Sequence, residues 1–358
     1  MPEPFMAQLV TLGDPAQLTG GYLYHQRVAA LAPAHGVRLA FCSFPEAAFP
    51  LPALAARRLA RALLAAQPQA VVIDSLAAAY LAPVVRELSA ALPLVGSVHQ
   101  PPGGLDHGPL RTRLQARLDL LVYRRAALLL VASASLAETL TACGIRPSRI
   151  QVVPPGRDIP AAPASPAGDL RQGRAAAFLC VGNWVARKGL LLLLEAFARL
   201  PADTATLHLV GRTDVDHSYT ARVRARLARP DLRGRVVVHG PVAPAQVAAL
   251  YRAADVFVLP STQEPYGTVY SEAMALGLPV VGVAAGNLPH LATDGVEGRI
   301  VAPGDVTGLA AALLELARDE PLRRRLGAAA RARALTHPTW EETAARFCAA
   351  LRAVAVCR

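Results

Sequence analysis

At 358 residues and 53% hydrophobic content, the chain is long enough for two domains with separate cores and too apolar to be disordered. It offers no run of about 18 apolar residues for a transmembrane helix, no signal-peptide pattern and no metal-ligand spacing among its five cysteines, so we expect a cytoplasmic protein without a bound metal. A net charge of +11, almost all of it arginine, permits an anionic membrane or substrate as partner, whereas 5% aromatic residues and the lack of a nucleic-acid-binding motif disfavour nucleic acid.

The first predicted elements are a strand over residues 8 to 12, a loop, a helix and a second strand over residues 37 to 42. Gly20 and Gly21 open the predicted helix, and Gly36 ends it. A glycine-rich turn at a helix N-terminus is a place where anions bind, although two adjacent glycines also form simple tight turns.

His99 stands at the end of a predicted strand, PLVGSVHQ, that follows another strand ending at Asp74. In an open α/β sheet, ligands bind beyond the carboxyl ends of the strands. His99 is therefore a candidate ligand contact, although a lone histidine is more often structural.

Residues 110 to 124 predict a basic amphipathic helix. One stripe of this helix carries Leu110, Leu114, Leu118, Leu121 and Val122, and another carries Arg113, Arg117 and Arg124. An ordinary surface helix accounts for this pattern. The alternative is a contact with a charged acceptor or with an anionic membrane, which would place the protein at the inner face of that membrane.

Between residues 150 and 174, proline, alanine, glycine and charged residues replace the hydrophobic periodicity, as in a linker. We predict a first domain over residues 1–155, a linker over 156–174 and a second domain over 175–336. Residues 337–358 predict a final helix.

The second domain opens with a strand, and the turn after it carries Gly182, Arg187, Lys188 and Gly189. Lys188 is the only lysine in the chain. Its position beside an arginine, at a strand-to-helix turn, favours a phosphate clamp.

Residues 261 to 272, STQEPYGTVYSE, follow an apolar strand and lead into a helix. They place Glu264 and Glu272 eight positions apart, with Gly267 between them permitting close approach of an anion to backbone amides. If the helix begins near Gly267 or Thr268, Glu272 lies about one turn in, where its carboxylate can accept two hydrogen bonds from a vicinal diol. The alternative is that Glu264 only ends a strand and Glu272 only faces solvent.

This segment resembles the E-x7-E motif of the retaining glycosyltransferases of family 4. The matching positions are Pro260, Ser261, Glu264, Gly267, Glu272, Ala273, Gly277, Pro279 and Val280. The resemblance covers nearly the whole chain, most strongly from about residue 178 to 305. It implies the GT-B fold class, an α/β architecture of two Rossmann-like doubly wound domains facing one another across a cleft, with the last helix crossing back onto the first domain.

The resemblance also implies a site for a nucleotide-diphospho-sugar donor. Glu272 would bind the ribose, Lys188 and Arg187 the diphosphate, and Glu264 and His99 the transferred sugar. The implied catalytic residues are His99, Glu264, Lys188 and Arg187. The other implied donor-binding positions are Gly20, Gly21, Gly182, Asn183, Gly211, Gly240, Val242, Tyr266, Gly267, Thr268, Val269, Gly286 and Asn287.

Departures from the family pattern include Asn183 and His290. Asn183 stands where the family has an arginine, so either Arg187 substitutes for it or the diphosphate has one charged contact fewer. His290 replaces the usual glutamate. The implied enzyme needs no metal or cofactor, and its acceptor is lipid-linked, a polysaccharide or a small molecule.

Three other activities use the same fold and stay open as alternatives. They are glycosyl phosphorolysis, sugar-nucleotide epimerisation and non-catalytic binding of a nucleotide-sugar. A dinucleotide-dependent dehydrogenase is disfavoured because no G-x-G-x-x-G follows the first strand.

Overall fold

The computed structural model describes residues 3–16, 20–159 and 167–356. The chain forms two compact units. One comprises Met1–Gly156 and Pro338–Arg358, and the other comprises Arg157–His337. Among the described residues, no helix is both long and apolar enough to cross a membrane.

The first unit is built on a parallel six-stranded sheet in the order β2-β1-β3-β4-β5-β6. The inner strands over Ala70–Asp74 and Leu94–Val98 are buried on both faces, as expected of a parallel sheet covered by helices on each side. The strands are β1 (Phe5–Leu12), β2 (Val37–Phe44), β3 (Ala70–Asp74), β4 (Leu94–Val98), β5 (Leu128–Val131) and β6 (Ile150–Val152). The helices that connect them are α1 (Gly20–Leu31), α2 (Ala56–Ala66), α3 (Ala78–Leu81), α4 (Val85–Ala91), α5 (Pro109–Tyr123) and α6 (Ala134–Ala142).

The second unit has a second parallel six-stranded sheet, in the order β12-β11-β10-β7-β8-β9. The strands are β7 (Ala176–Val181), β8 (Ala205–Val210), β9 (Val236–Gly240), β10 (Val256–Leu259), β11 (Val280–Val283) and β12 (Gly298–Val301). The helices are α7 (Leu190–Ala198), α8 (His217–Leu227), α9 (Pro244–Ala253), α10 (Thr268–Ala275), α11 (Leu288–Leu291), α12 (Val306–Arg318) and α13 (Glu320–Leu335).

Both sheets reverse their strand order once, as doubly wound sheets do. The reversal lies between β1 and β3 in the first unit and between β10 and β7 in the second. Such a switch point opens a crevice at the carboxyl ends of the two strands, where ligands bind. The predicted fold class of two Rossmann-like domains is confirmed.

The last helix, α14 (Trp340–Val356), packs in the first unit against α1. The rings of Phe347 and Tyr24 lie 6.2 Å apart, and Arg352 donates a hydrogen bond of 2.8 Å to the carbonyl of His35. The backbone of Gly156 passes so close to Trp340 that a Cβ there would lie 2.5 Å from its Cα. Only glycine fits at this contact, so residue 156 packs directly against the first residue of α14.

Helix α5 is oriented with its leucines outward. Its buried side chains are Gln115, Asp119, Val122 and Tyr123, whereas Leu110, Leu114 and Leu121 are 82%, 47% and 43% exposed. The carboxylate of Asp119 accepts a hydrogen bond of 2.8 Å from the backbone N–H of Gly103, which holds the polar face of the helix against the protein. The exposed face of α5 therefore combines leucines with the arginines of the neighbouring stripe.

Candidate functional site

The turn after β7 carries Lys188 into contact with the end of β10. Residues Ala186–Lys188 form a single 3-10 turn that ends at Gly189, whose φ is +71°. A Cβ on Gly189 would lie 2.2 Å from the carbonyl oxygen of Pro260, so a larger residue would push the two loops apart. This close approach is possible because β7 and β10 are neighbours in the sheet.

Glu264 is held by two cations and a hydroxyl. Its Oε1 lies 2.5 Å from Nζ of Lys188 and 3.1 Å from Nη1 of Arg187, and it accepts a hydrogen bond of 3.0 Å from Oγ of Ser261. Lys188 and Glu264 are 9% and 7% exposed. Two cationic groups thus lie at the carboxyl ends of β7 and β10, where both can contact an anion. Among the described residues, Oε2 of Glu264 has no hydrogen-bond partner.

The loop after β11 fixes the backbone of Glu264. Gly286 has a φ of +57°, and a Cβ there would lie 2.6 Å from the backbone nitrogen of Glu264. The backbone N–H of Asn287 donates to the carbonyl of Glu264 at 2.9 Å, and its Nδ2 donates to the carbonyl of Tyr266 at 2.8 Å. Oδ1 of Asn287 is buried without a hydrogen-bond partner among the described residues, so it can accept one from a ligand.

Helix α10 presents its N-terminus at the same strand ends. Gly267 caps it with a φ of +91°, and helical geometry leaves the N–H groups of Thr268 and Val269 without acceptors inside the helix. These amides and the positive end of the helix favour a bound anion. The predicted helix start near Gly267 or Thr268 is where α10 begins.

Glu272 lies in the second turn of α10 and is half-buried. The hydroxyl of Tyr251 donates to its Oε2 at 3.1 Å. Burial raises the pKa of Glu272 from 4.5 to about 7, although the Tyr251 hydrogen bond opposes this rise. Ligand hydroxyls that donate to the carboxylate would favour its ionised form and lower that pKa again.

The remaining predicted positions of the second unit lie at the ends of β7, β8 and β9. A Cβ on Gly211 would lie 2.1 Å from the carbonyl oxygen of Gly182, so these two glycines let the strand ends meet. Asn183 is exposed, and its Oδ1 accepts a hydrogen bond of 3.3 Å from the backbone of Arg212, away from the contacts of Glu264. Gly240 accepts a 2.9 Å hydrogen bond from the N–H of Gly211. Val242 is partly buried against the core. His290, which differs from the family's usual glutamate, is exposed on α11.

In the first unit, the structure brings Gly21 and His99 together. A Cβ on Gly21 would lie 3.9 Å from Cβ of His99, and nothing lies within 4 Å of the corresponding position at Gly20. His99 Nε2 contacts Nε2 of His25 and Oγ of Ser97, both at 3.1 Å. The predicted residues thus form two groups, one in each unit.

Sequence reasoning did not assign site roles to Ser261, Tyr251, His25 or Asp74. Ser261 stands within the matched motif, and Asp74 ends a strand at the switch point, so position could have indicated both. Tyr251 and His25 lie on helices, where the sequence gives no sign that a hydroxyl or an imidazole faces a carboxylate. Among the described residues, no group of three or more His, Cys, Asp or Glu side chains could hold a metal ion.

Two family models match the chain. Residues 166–333 match the model for glycosyl transferases group 1, and residues 10–159 match the model for glycosyltransferase family 4. The two matches meet near the boundary between the two units.

Curated relatives match the chain over part of their length. A D-inositol 3-phosphate glycosyltransferase of Xylanimonas cellulosilytica is 36% identical over 55% of this chain and 49% of its own. An MMP alpha-(1->4)-mannosyltransferase of Mycolicibacterium hassiacum is 33% identical over 64% of this chain and 56% of its own. The chain thus spans about half the length of the curated relatives it matches.

Solved structures share the whole fold. Sucrose-phosphate synthase from Thermosynechococcus elongatus superposes with a TM-score of 0.81 at 22% identity, covering 99% of this chain and 100% of that one. HepE of Anabaena, in complex with UDP, gives a TM-score of 0.77 at 22% identity, covering 97% and 99%. At this identity the likeness establishes the GT-B fold.

Proposed function

This chain belongs to glycosyltransferase family 4, and on that premise we propose that it transfers a hexose-type sugar from a nucleotide-diphospho-sugar with retention of anomeric configuration. The observation that carries the proposal is the cluster of Lys188, Arg187 and Glu264, in which two cationic groups meet at a largely buried site. Its position beside the N-terminus of α10 fits a diphosphate, because fixed cations and backbone amides both stabilise that anion.

The proposed chemistry follows from where charge develops. As the bond from the sugar to the diphosphate breaks, the sugar approaches an oxocarbenium ion and the diphosphate gains negative charge. Lys188, Arg187 and the first amides of α10 stabilise that charge without rearranging. The departing phosphate then takes the proton from the acceptor hydroxyl, which attacks on the same face of the sugar.

Two carboxylates would orient the donor. Oε1 of Glu264 already accepts hydrogen bonds from Lys188, Arg187 and Ser261, so Oε2 is the oxygen that would accept one from a sugar hydroxyl. Glu272 would accept hydrogen bonds from the vicinal diol of the ribose. In the first unit, His99 would contact a sugar hydroxyl. The relatives named for glycosyl and mannosyl transfer, and the HepE complex with UDP, support this choice of donor.

For the acceptor we propose a lipid-linked molecule at an anionic membrane surface. Leu110, Leu114 and Leu121 are exposed on α5, and Arg113, Arg117 and Arg124 lie exposed beside them. Such a face suits the membrane interface, where leucines enter the acyl boundary and arginines contact anionic headgroups. Leu51 and Leu54 extend the apolar surface at 55% and 84% exposure, and Arg111 of α5 stacks on Phe49 next to them.

The donor proposal is tested by thermal unfolding with UDP, GDP, ADP and TDP and their common sugars, without added metal. A ligand at about 100 times its dissociation constant stabilises a fold by roughly 2.7 kcal/mol, which is readily measured. We expect one nucleotide to raise the midpoint and Glu272→Gln to remove most of that rise. Glu315→Gln, on the exposed surface of α12, is the matched control and should keep it. No shift with any nucleotide would overturn the donor site.

Turnover separates the proposed transferase from the alternatives. The nucleotide-sugar that binds is incubated with purified protein and mixed lipid acceptors, and release of nucleoside diphosphate is measured. Release that requires an acceptor supports glycosyl transfer. Binding without any turnover would favour a nucleotide-sugar-binding protein, and release that requires inorganic phosphate would favour a phosphorylase.

A further inference from the structure

Four buried polar side chains lie beside His99 in the first unit. Thr11, Asp74 and Ser97 stand near the ends of three neighbouring strands, and the register of β3 and β4 aligns Asp74 with Ser97. His25 joins them from α1. Their exposures are at most 1%, so each polar atom needs a partner inside the protein.

Two imidazoles and a hydroxyl form a triangle in this cluster. Nε2 of His25 lies 2.9 Å from Oγ of Ser97, and Nε2 of His99 lies 3.1 Å from both of those atoms. Burial lowers the pKa of each histidine to about 3, so each ring is neutral and carries one proton near pH 7. Two neutral ring nitrogens in contact require one N–H and one lone pair.

Asp74 determines which ring carries the proton at that contact. Its Oδ2 lies 3.6 Å from Nδ1 of His25, a buried atom with no hydrogen-bond partner among the described residues. The carboxylate accepts hydrogen bonds from Oγ1 of Thr11 at 2.6 Å, from the N–H of Leu76 at 3.1 Å and from Oγ of Ser75 at 3.2 Å. Three donors stabilise the ionised form, against the rise in pKa that burial causes. A negative charge facing Nδ1 of His25 favours a proton there.

Because the single ring proton of His25 lies on Nδ1, its Nε2 is unprotonated and carries a lone pair. That lone pair accepts a hydrogen bond from His99, whose single proton must then lie on Nε2. Nδ1 of His99 is consequently unprotonated. Among the described residues it has no hydrogen-bond partner, and the ring of His99 borders Gly21 and is only partly buried.

We propose that Asp74 and His25 are positioning residues that fix the tautomer of His99, so that its Nδ1 is presented to the ligand as a hydrogen-bond acceptor. The ligand group is then a hydroxyl that donates its proton. That this hydroxyl belongs to the transferred sugar rests on the proposed function, whereas the tautomer itself does not.

The tautomer is measured by long-range proton–nitrogen NMR of the protein with ¹⁵N-labelled histidine, in which protonated and unprotonated ring nitrogens resonate in separate regions. The wild-type protein should show His99 protonated at Nε2. Asp74→Asn should reverse this, because the new amide can donate to Nδ1 of His25 and move the proton along to Nδ1 of His99. Thr11→Val is the matched control. It removes a hydrogen bond to Asp74 but keeps the charge, so it should lower stability and leave the tautomer unchanged.

A wild-type His99 protonated at Nδ1 overturns the proposal, even if no variant folds. An unchanged His99 tautomer in folded Asp74→Asn also overturns it, because the carboxylate would then not control the ring.

Kinetics test the link to the sugar separately. Loss of one hydrogen bond in the transition state should lower kcat/KM of Asp74→Asn about tenfold or more. Affinity for the nucleoside diphosphate should stay unchanged, because its proposed contacts lie in the second unit. If the tautomers are as expected but the protein transfers no sugar, the proposed function fails and the positioning role stands.

Discussion

Nζ of Lys188 and Oε1 of Glu264 lie 2.5 Å apart, although the two residues are 76 positions apart in the chain. The contact joins the loop after β7 to the loop after β10, and both side chains are buried. A buried carboxylate without its counter-charge is costly, so each residue stabilises the other as well as serving the proposed donor site.

This relationship predicts strong coupling between the two positions. Lys188→Met should lower the free energy of unfolding by about 3 kcal/mol, because it leaves the buried carboxylate with less counter-charge. Glu264→Gln should also lower the free energy of unfolding. The loss in the double variant should be clearly smaller than the sum of the losses in the two single variants. Urea unfolding of the four proteins measures this. Additive losses would mean that the two charges do not stabilise each other.

The raised pKa of Glu272 predicts that the free energy of unfolding falls as pH rises from 4.5 to 7. Burial raises its pKa from 4.5 to about 7, so in this range the folded protein holds a proton that the unfolded chain releases. The contribution of protonated Glu272 to the free energy of unfolding is therefore fully present below pH 4.5 and is lost as pH rises through 7. Glu272→Gln should be less sensitive to pH, as urea unfolding across the range can measure. Asp119, whose pKa burial also raises to about 7, remains in both proteins, so parallel curves would contradict the prediction.

The close packing of Gly286 against Glu264 predicts that a side chain at position 286 would displace the Glu264 loop. Gly286→Ala would place its Cβ 2.6 Å from the backbone nitrogen of Glu264, at a φ of +57°. We expect lower stability and weaker nucleotide binding, because the Glu264 loop must move. Gly304→Ala is the control, since its φ is +82° but nothing lies within 4 Å of its Cβ position. Equal effects of both changes on nucleotide affinity would show that backbone strain, and not the clash, is responsible.

The exposed face of α5 predicts binding to anionic vesicles. Replacing Arg113, Arg117 and Arg124 with glutamate should release the protein from phosphatidylglycerol vesicles in a sedimentation assay, and replacing Leu110 and Leu114 with serine should weaken binding. The same charge change at Arg222, Arg224 and Arg229, exposed in the second unit, is the control and should have little effect. Unchanged sedimentation of the first variant would overturn the membrane contact.

The architecture could be predicted from the sequence because alternating strands and helices, with glycines at the strand ends, specify doubly wound sheets. Apolar runs such as AVVI before Asp74 and VFVL before Pro260 are strands, as predicted, and the structure buries both of them completely. Strand limits were less accurate, since β1 begins at Phe5 and not at residue 8, and β2 extends to Phe44.

Side-chain partners could not be predicted in the same way. The sequence pattern indicates Lys188 and Glu264 as separate ligand contacts, and only the order of the strands brings them together. The periodicity of α5 separates a leucine stripe from an arginine stripe but does not say which face packs. That depends on Asp119 meeting the N–H of Gly103, a contact across a loop.

The burial of Lys188 also determines how the protein reacts with amine-directed reagents. The chain has no other lysine side chain, so acylating or cross-linking reagents that target ε-amines can modify it at only one position. Lys188 is only 9% exposed, and its amine is in contact with Glu264. Surface immobilisation through lysine would therefore attach the molecule by its proposed donor site, whereas coupling through an added tag would keep that site open.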